Sequence, residues 1–134
     1  MCYDPDAISA MSDARSQSTA LDARHKVLEN IVVLHLTQAM LGLISQSLQA
    51  VAVDVAPERL VVHFAYSSDA PEHRDDVEDI LADLDALLDN DDVPNDWKIE
   101  PLLHVGPVDE SWPGLPFRRV FETKSARSES AGRP

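Results

Sequence analysis

The chain has 134 residues, 44% of them hydrophobic, and carries 24 acidic against 11 basic side chains for a formal charge of −13. That length and apolar content suit one domain with one core, and the acidic excess repels nucleic acid and anionic membrane surfaces while attracting basic partners. Cys2 is the single cysteine, so an internal disulfide is excluded and no thiol pair exists for a redox or metal site.

Residues 1–20 are polar, lack a continuous apolar run and read as a flexible leader rather than a secretory signal. Residues 124–134, KSARSESAGRP, read as a flexible tail, which leaves one domain over residues 21–123. A first helix is predicted from about Asp22 to Gln46, with Leu28, Ile31, Val32, Ala39 and Leu43 on one face. Val33, Met40 and Ile44 widen its apolar surface, so it is expected to be buried on more than one side, by the sheet and by a second subunit in a homodimer. Gly42 marks an expected bend. The segment Ile31–Ile44 is broken by His35, Thr37 and Gln38 and is too short to cross a bilayer; a cytoplasmic location is expected.

Val51, Val53 and Val55, then Leu60, Val62, Phe64 and Tyr66, recur with period two around the short link Pro57-Glu58-Arg59, a β-hairpin pattern. A second helix follows, with Ser68 or Asp69 as its cap, Pro71 in the first turn, and Val77, Ile80, Leu81, Leu84, Leu87 and Leu88 as its apolar stripe. Pro94 is expected to end it. Trp97–Val105 reads as a third strand that Pro101 confines to an edge or a bulge, and Phe117–Glu122 as a fourth. The order α-β-β-α-β-β predicts an α+β domain with two helices on one face of a four-stranded, mostly antiparallel sheet.

The charge is not spread evenly. Asp69 to Glu110 holds fifteen acidic and two basic residues, a local charge of −13, and the remainder of the chain sums to zero. On the second helix Asp75, Asp79 and Asp89 project opposite the apolar stripe, flanked by Asp76, Glu78, Asp83 and Asp85, while Ala82 and Ala86 keep that face low. No Lys or Arg stands at i+4 to offset these acids. The run Asp89-Asn90-Asp91-Asp92 also places negative charge at the negative end of the helix dipole, at about 0.3–1 kcal/mol per group. An ordinary solvated helix face would carry mixed signs, so a functional acidic surface is the stronger reading. Asp75, Asp76, Asp79, Asp83, Asp89, Asp91 and Asp92 are the candidate partner-binding residues. Trp112, in an acidic, proline-rich loop, is either an interface anchor or a lid over the core.

Catalytic and cofactor patterns are not found. Asp89–Asp92 lacks the central glycine of a calcium loop, His25, His35, His63, His73 and His104 show no zinc spacing, and the four glycines form no phosphate loop. His63 and Asp54 share a face of the hairpin, a weak acid–base arrangement that reads as structural. No enzyme activity, cofactor or metal is expected.

The runs LGLISQSLQAVAVDV, ERLVVHFAY, DAPEHRDDVEDILADLDALL and FRRVFE, spanning Leu41 to Glu122, resemble small immunity proteins of contact-dependent growth inhibition and related polymorphic toxin systems. The resemblance implies a non-catalytic protein that binds and neutralises a toxin domain, very often a nuclease. It carries over no individual binding residue. The alternative is a non-enzymatic dimeric scaffold or adaptor that assembles through the apolar first helix.

Overall fold

Alternation in the hairpin sets the architecture. The computed structural model describes residues 23–89, 93 and 97–131, with the backbone alone for 128–131. Strand β1 (Leu48–Val55) pairs antiparallel with β2 (Arg59–Tyr66), with Val51, Val53 and Val55 opposite Phe64, Val62 and Leu60. Those side chains form one face, and Ala50, Ala52 and Asp54 opposite Ala65, His63 and Val61 form the other. A bulge at Gln49 shifts the register between Leu48 and Ala50 and turns Leu48 back toward the first face.

Helix α1 covers residues 23–39 and lays Leu28, Val32, Leu36 and Ala39 on that first face. It stops well short of the expected Gln46. Gly42 is the reason: it adopts φ +84, a left-handed conformation that ends a helix rather than bending it. Helix α2 (Pro71–Leu88) packs beside α1 through Val77, Ile80, Leu84 and Leu88, and His73 completes the stripe, stacked 4.0 Å from the Tyr66 ring. Its N-cap is Ala70 in extended conformation, without a side-chain cap, rather than Ser68 or Asp69. Pro71 at the first position has no N–H to satisfy, which reduces the need for one. The helix ends at Leu88, ahead of the expected stop at Pro94.

Strand β3 (Lys98–Val105) lies at the sheet edge, as Pro101 requires, but runs parallel to β2 in unbroken register from Arg59↔Lys98 to Tyr66↔Val105. The sheet, ordered β3-β2-β1-β4, is therefore mixed and not mostly antiparallel. A helix between two neighbouring strands carries the chain back to the end where the first strand began, so the second must run parallel to it. Strand β4 (Arg118–Glu122) pairs antiparallel with β1 at the opposite edge.

The outer face holds a second, smaller core. Ala50, Ala52 and Ala65 leave a shallow bed that the Trp112 indole fills, together with Val108, Leu115 and Ala126. The Arg119 guanidinium lies 4.8 Å from the Trp112 ring centroid and donates to Glu122 Oε1 (3.1 Å) and to the Leu115 carbonyl (3.1 Å). Ala126 belongs to a third helix, α3 (Lys124–Ala131), where the sequence suggested a flexible tail. Thr123 caps it: its Oγ1 accepts from the Ala126 N–H and donates to Gln49 Oε1, so α3 is tied to the β1 bulge. The leader 1–20 lies outside the described residues.

Gly114 is where the loop touches the sheet. A Cβ there would stand 2.6 Å from the His63 Cβ and 2.7 Å from the Trp112 ring. Gly114→Ala should therefore destabilise the fold by about 1–3 kcal/mol, the usual range for overpacking, read as a lower urea midpoint. His63 is buried and stacked 5.3 Å from Phe117, and its Nδ1 has no hydrogen-bond partner. Burial lowers its pKa below 6.5, Asp54 opposes that shift and Arg59 adds to it. The unfolded chain then binds the extra proton first, so stability should fall as pH drops below about 6.5 toward the folded value. Urea midpoints at pH 7 and pH 5 check this, and His63→Phe should lose that component of the difference.

Candidate partner-binding surface

Because α2 buries His73, Val77, Ile80, Leu84 and Leu88, the helical repeat must turn Asp75, Asp79 and Asp89 to solvent. All three are exposed, as are Glu72, Glu78, Asp83 and Asp85. Ala82 and Ala86 lie exposed among them. No ion pair among the described residues involves these carboxylates; the pairs lie elsewhere, as at Arg118–Glu29, Arg59–Asp54 and Arg119–Glu122. The exposed Arg74 is the one basic side chain on the helix.

Asp76 differs from its neighbours. It is half-buried, and its charge adds to burial in pushing the Tyr66 phenol up to about 12. Asp76 therefore sits on the border between core and acidic face. Asp91 and Asp92 lie outside the described residues.

Trp112 is 1% exposed. It is the lid of the outer-face core, and an anchor role would require the indole to leave that core. Around it, the Asp109 carboxylate accepts from the Ser111 N–H (2.8 Å) and hydroxyl, and the backbone N–H of Trp112 donates to the Asp109 carbonyl (2.9 Å). Asp109 thus shapes a turn of this loop. His63 and Asp54 do share the outer face, but Asp54 lies 3.9 Å from Arg59 and His63 is beneath Phe117. That arrangement offers no accessible acid–base pair.

Two features escaped the sequence reading. One is a cavity of about 380 Å³ between α2 and β3, lined by Leu81, Ala82, Asp85, Trp97 and Ile99, with the Trp97 Nε1–H donating to the Ala56 carbonyl at 2.8 Å. The other is the exposed apolar edge of β3, where Leu102, Leu103 and Val105 are at least 40% exposed, while on the outer face the exposed Phe117 stacks on His63, the register partner of Leu102. Pro101 signalled the edge but not what surrounds it. On α1, Val27 and Leu34 are exposed seven residues apart, and Leu41 is exposed in the turn that follows the helix. Among the described residues no group of His, Cys, Asp or Glu side chains has the geometry to hold a metal, and no helix is long and apolar enough to cross a membrane.

No curated protein matches the sequence closely. A family model does: that of the MafI2 immunity protein family matches residues 29–105, from the first turns of α1 through α2 to the last residue of β3. The match takes in both helices of the main core, the acidic face and the edge strand, and stops before the Trp112 loop. It spans more than half the chain, which therefore belongs to the MafI2 immunity protein family.

Proposed function

We propose that the protein neutralises a cognate toxin domain by binding it, without catalysis or cofactor, and that the outward face of α2 makes much of the contact with a basic, nuclease-type surface. Membership of an immunity protein family supports the toxin as partner. The observation that carries the proposed surface is the row of exposed carboxylates on α2, from Glu72 to Asp89, which form no ion pair among the described residues and among which Arg74 is the one basic side chain. A nuclease needs positive potential where it holds phosphates. An acidic helix face is attracted to that potential from a distance and occupies the phosphate groove, which raises the association rate and excludes the substrate. Ala82 and Ala86 permit close approach. Delivery of the toxin by neighbouring cells, as in contact-dependent growth inhibition, and action in the cytoplasm belong to the same proposal.

A second reading, a scaffold dimerising through α1, is favoured by the exposed Val27 and Leu34, one heptad apart on the helix, with Leu41 exposed in the turn after it. Light scattering separates the two: a dimer that Leu34→Glu with Leu41→Glu converts to a monomer supports the α1 seam, and a monomer at all concentrations removes it.

The acidic face is tested by the triple reversal Asp75→Lys, Asp79→Lys, Asp83→Lys. All three sites are exposed, so the fold should persist by circular dichroism. Affinity for the toxin domain should drop by about a hundredfold or more, and protection of toxin-expressing cells should be lost. Wild-type affinity should also weaken steeply with added salt. Full protection by the reversal variant rejects the surface.

A further inference from the structure

The hydrogen bonds of β3 alternate in direction. The Lys98 N–H donates to the Glu58 carbonyl and the Gly106 N–H to the Tyr66 carbonyl, at the two ends of an unbroken register. Even-numbered residues of β3 therefore face β2, and the backbone groups of Ile99, Pro101, Leu103 and Val105 point away from the sheet. Pro101 occupies one of these outward positions, where its missing N–H costs the sheet nothing. Among the described residues no strand pairs with this edge. Leu103 and Val105 thus present two N–H donors and two carbonyls in strand geometry.

An exposed edge is usually guarded by charge or covered. Here its final turnless stretch, Leu102 to Val105, is flanked by apolar groups on both sides. Leu103 and Val105 lie on the helix face, beside Phe64 and Tyr66. Leu102 lies on the outer face beside His63, on which Phe117 is stacked. Only an extended main chain, with side chains alternating to the two faces, satisfies the backbone groups and covers both apolar surfaces together.

Charge decides whose chain it is. The flank of α2 that overhangs the start of β3 carries Leu81, Ala82 and Asp85 around the cavity with Trp97 and Ile99, and Glu78 stands one turn before Ala82. A second copy paired edge to edge would bring two such acidic flanks, each on a chain of charge −13, toward one another. A basic partner is attracted by the same net charge. We infer that the free edge of β3, at Leu103 and Val105, docks an extended strand of the basic toxin domain, which becomes a fifth strand of the sheet. This rests on the proposed toxin-binding function and adds a main-chain contact to it.

The test uses the whole chain and, as probe, the purified toxin domain against which it protects. Leu103→Pro removes an outward N–H, as Pro101 already does, and should leave the β2–β3 pairing and the urea midpoint near wild type. His104→Pro, which removes an N–H directed at β2, should destabilise the fold and serves as the control for direction. Toxin affinity of Leu103→Pro should fall about 10- to 100-fold, through the lost bond and the carbonyl left unpaired in the complex. In the wild type, the Leu103 and Val105 amides should exchange rapidly with deuterium when free and slowly with toxin bound. Wild-type affinity in a folded Leu103→Pro, or unprotected Leu103 and Val105 amides in the complex, overturns the strand docking. If the α2 reversal still abolishes binding in that case, the acidic face stands without the edge; if neither change weakens binding, both fall. Should Leu103→Pro fail to fold, amide exchange in the wild-type complex decides alone. Protection of these amides that grows with concentration of the chain by itself assigns the edge to a second copy and likewise overturns the proposal.

Discussion

Val51, Val53 and Val55 stand opposite Phe64, Val62 and Leu60, and everything else in the molecule takes its position from that register. A slip of one residue would exchange the two faces, presenting valine to the small outer core and alanine to the helices. The large face has room for two helices; the small face, lined by Ala50, Ala52 and Ala65, has room for one indole and a tight loop. The bulge at Gln49 adjusts the end of β1 to this division, returning Leu48 to the large core and offering its side chain to Thr123 at the start of α3. One local irregularity thereby serves both layers.

Helix α2 has two obligations that oppose each other. Its inward face must bury Val77, Ile80, Leu84 and Leu88, about 1.5–3 kcal/mol for each such side chain. Its outward face gathers like charges that repel, with no basic residue in its last turn to favour the dipole. Burial is the larger effect, so the helix persists despite its surface. The acidic face is thus a tolerated cost that stability alone does not explain, and the proposed steering of a basic partner would give it a use.

Much of this was legible in the sequence, for reasons that can be located. Period two in the hairpin and the 3.6-residue stripe of α2 are strong because each element has one buried face. The edge position of β3 was legible from Pro101 alone. What stayed hidden depended on other signals. Strand direction is not encoded in a strand's own pattern, and only the helix between β2 and β3 implied the parallel pairing. The end of α1 turned on whether Gly42 bends or stops a helix, which its φ decides. The third helix was masked by a polar composition, although Thr123 three residues before Ala126 is a capping signal. The burial of Trp112 depended on three alanines some 50–60 residues away in the chain, and the acids beside it gave the contrary impression.

The position of Pro101 also bears on how the edge and the acidic helix belong together. A proline at an inward position would have broken the pairing with β2, and a proline at Leu103 would have closed the remaining edge. As it stands, the first half of the edge is blunted where Trp97 and Ile99 line the cavity under α2, and the second half keeps its donors where the exposed apolar side chains gather. An edge left half open limits pairing to a short strand, long enough for recognition and too short to template extended association. The acidic flank restricts it further, since an approaching chain of like charge is repelled before any hydrogen bond forms. On the proposed docking, backbone geometry and charge favour the same occupant: a short, extended and basic segment of another protein.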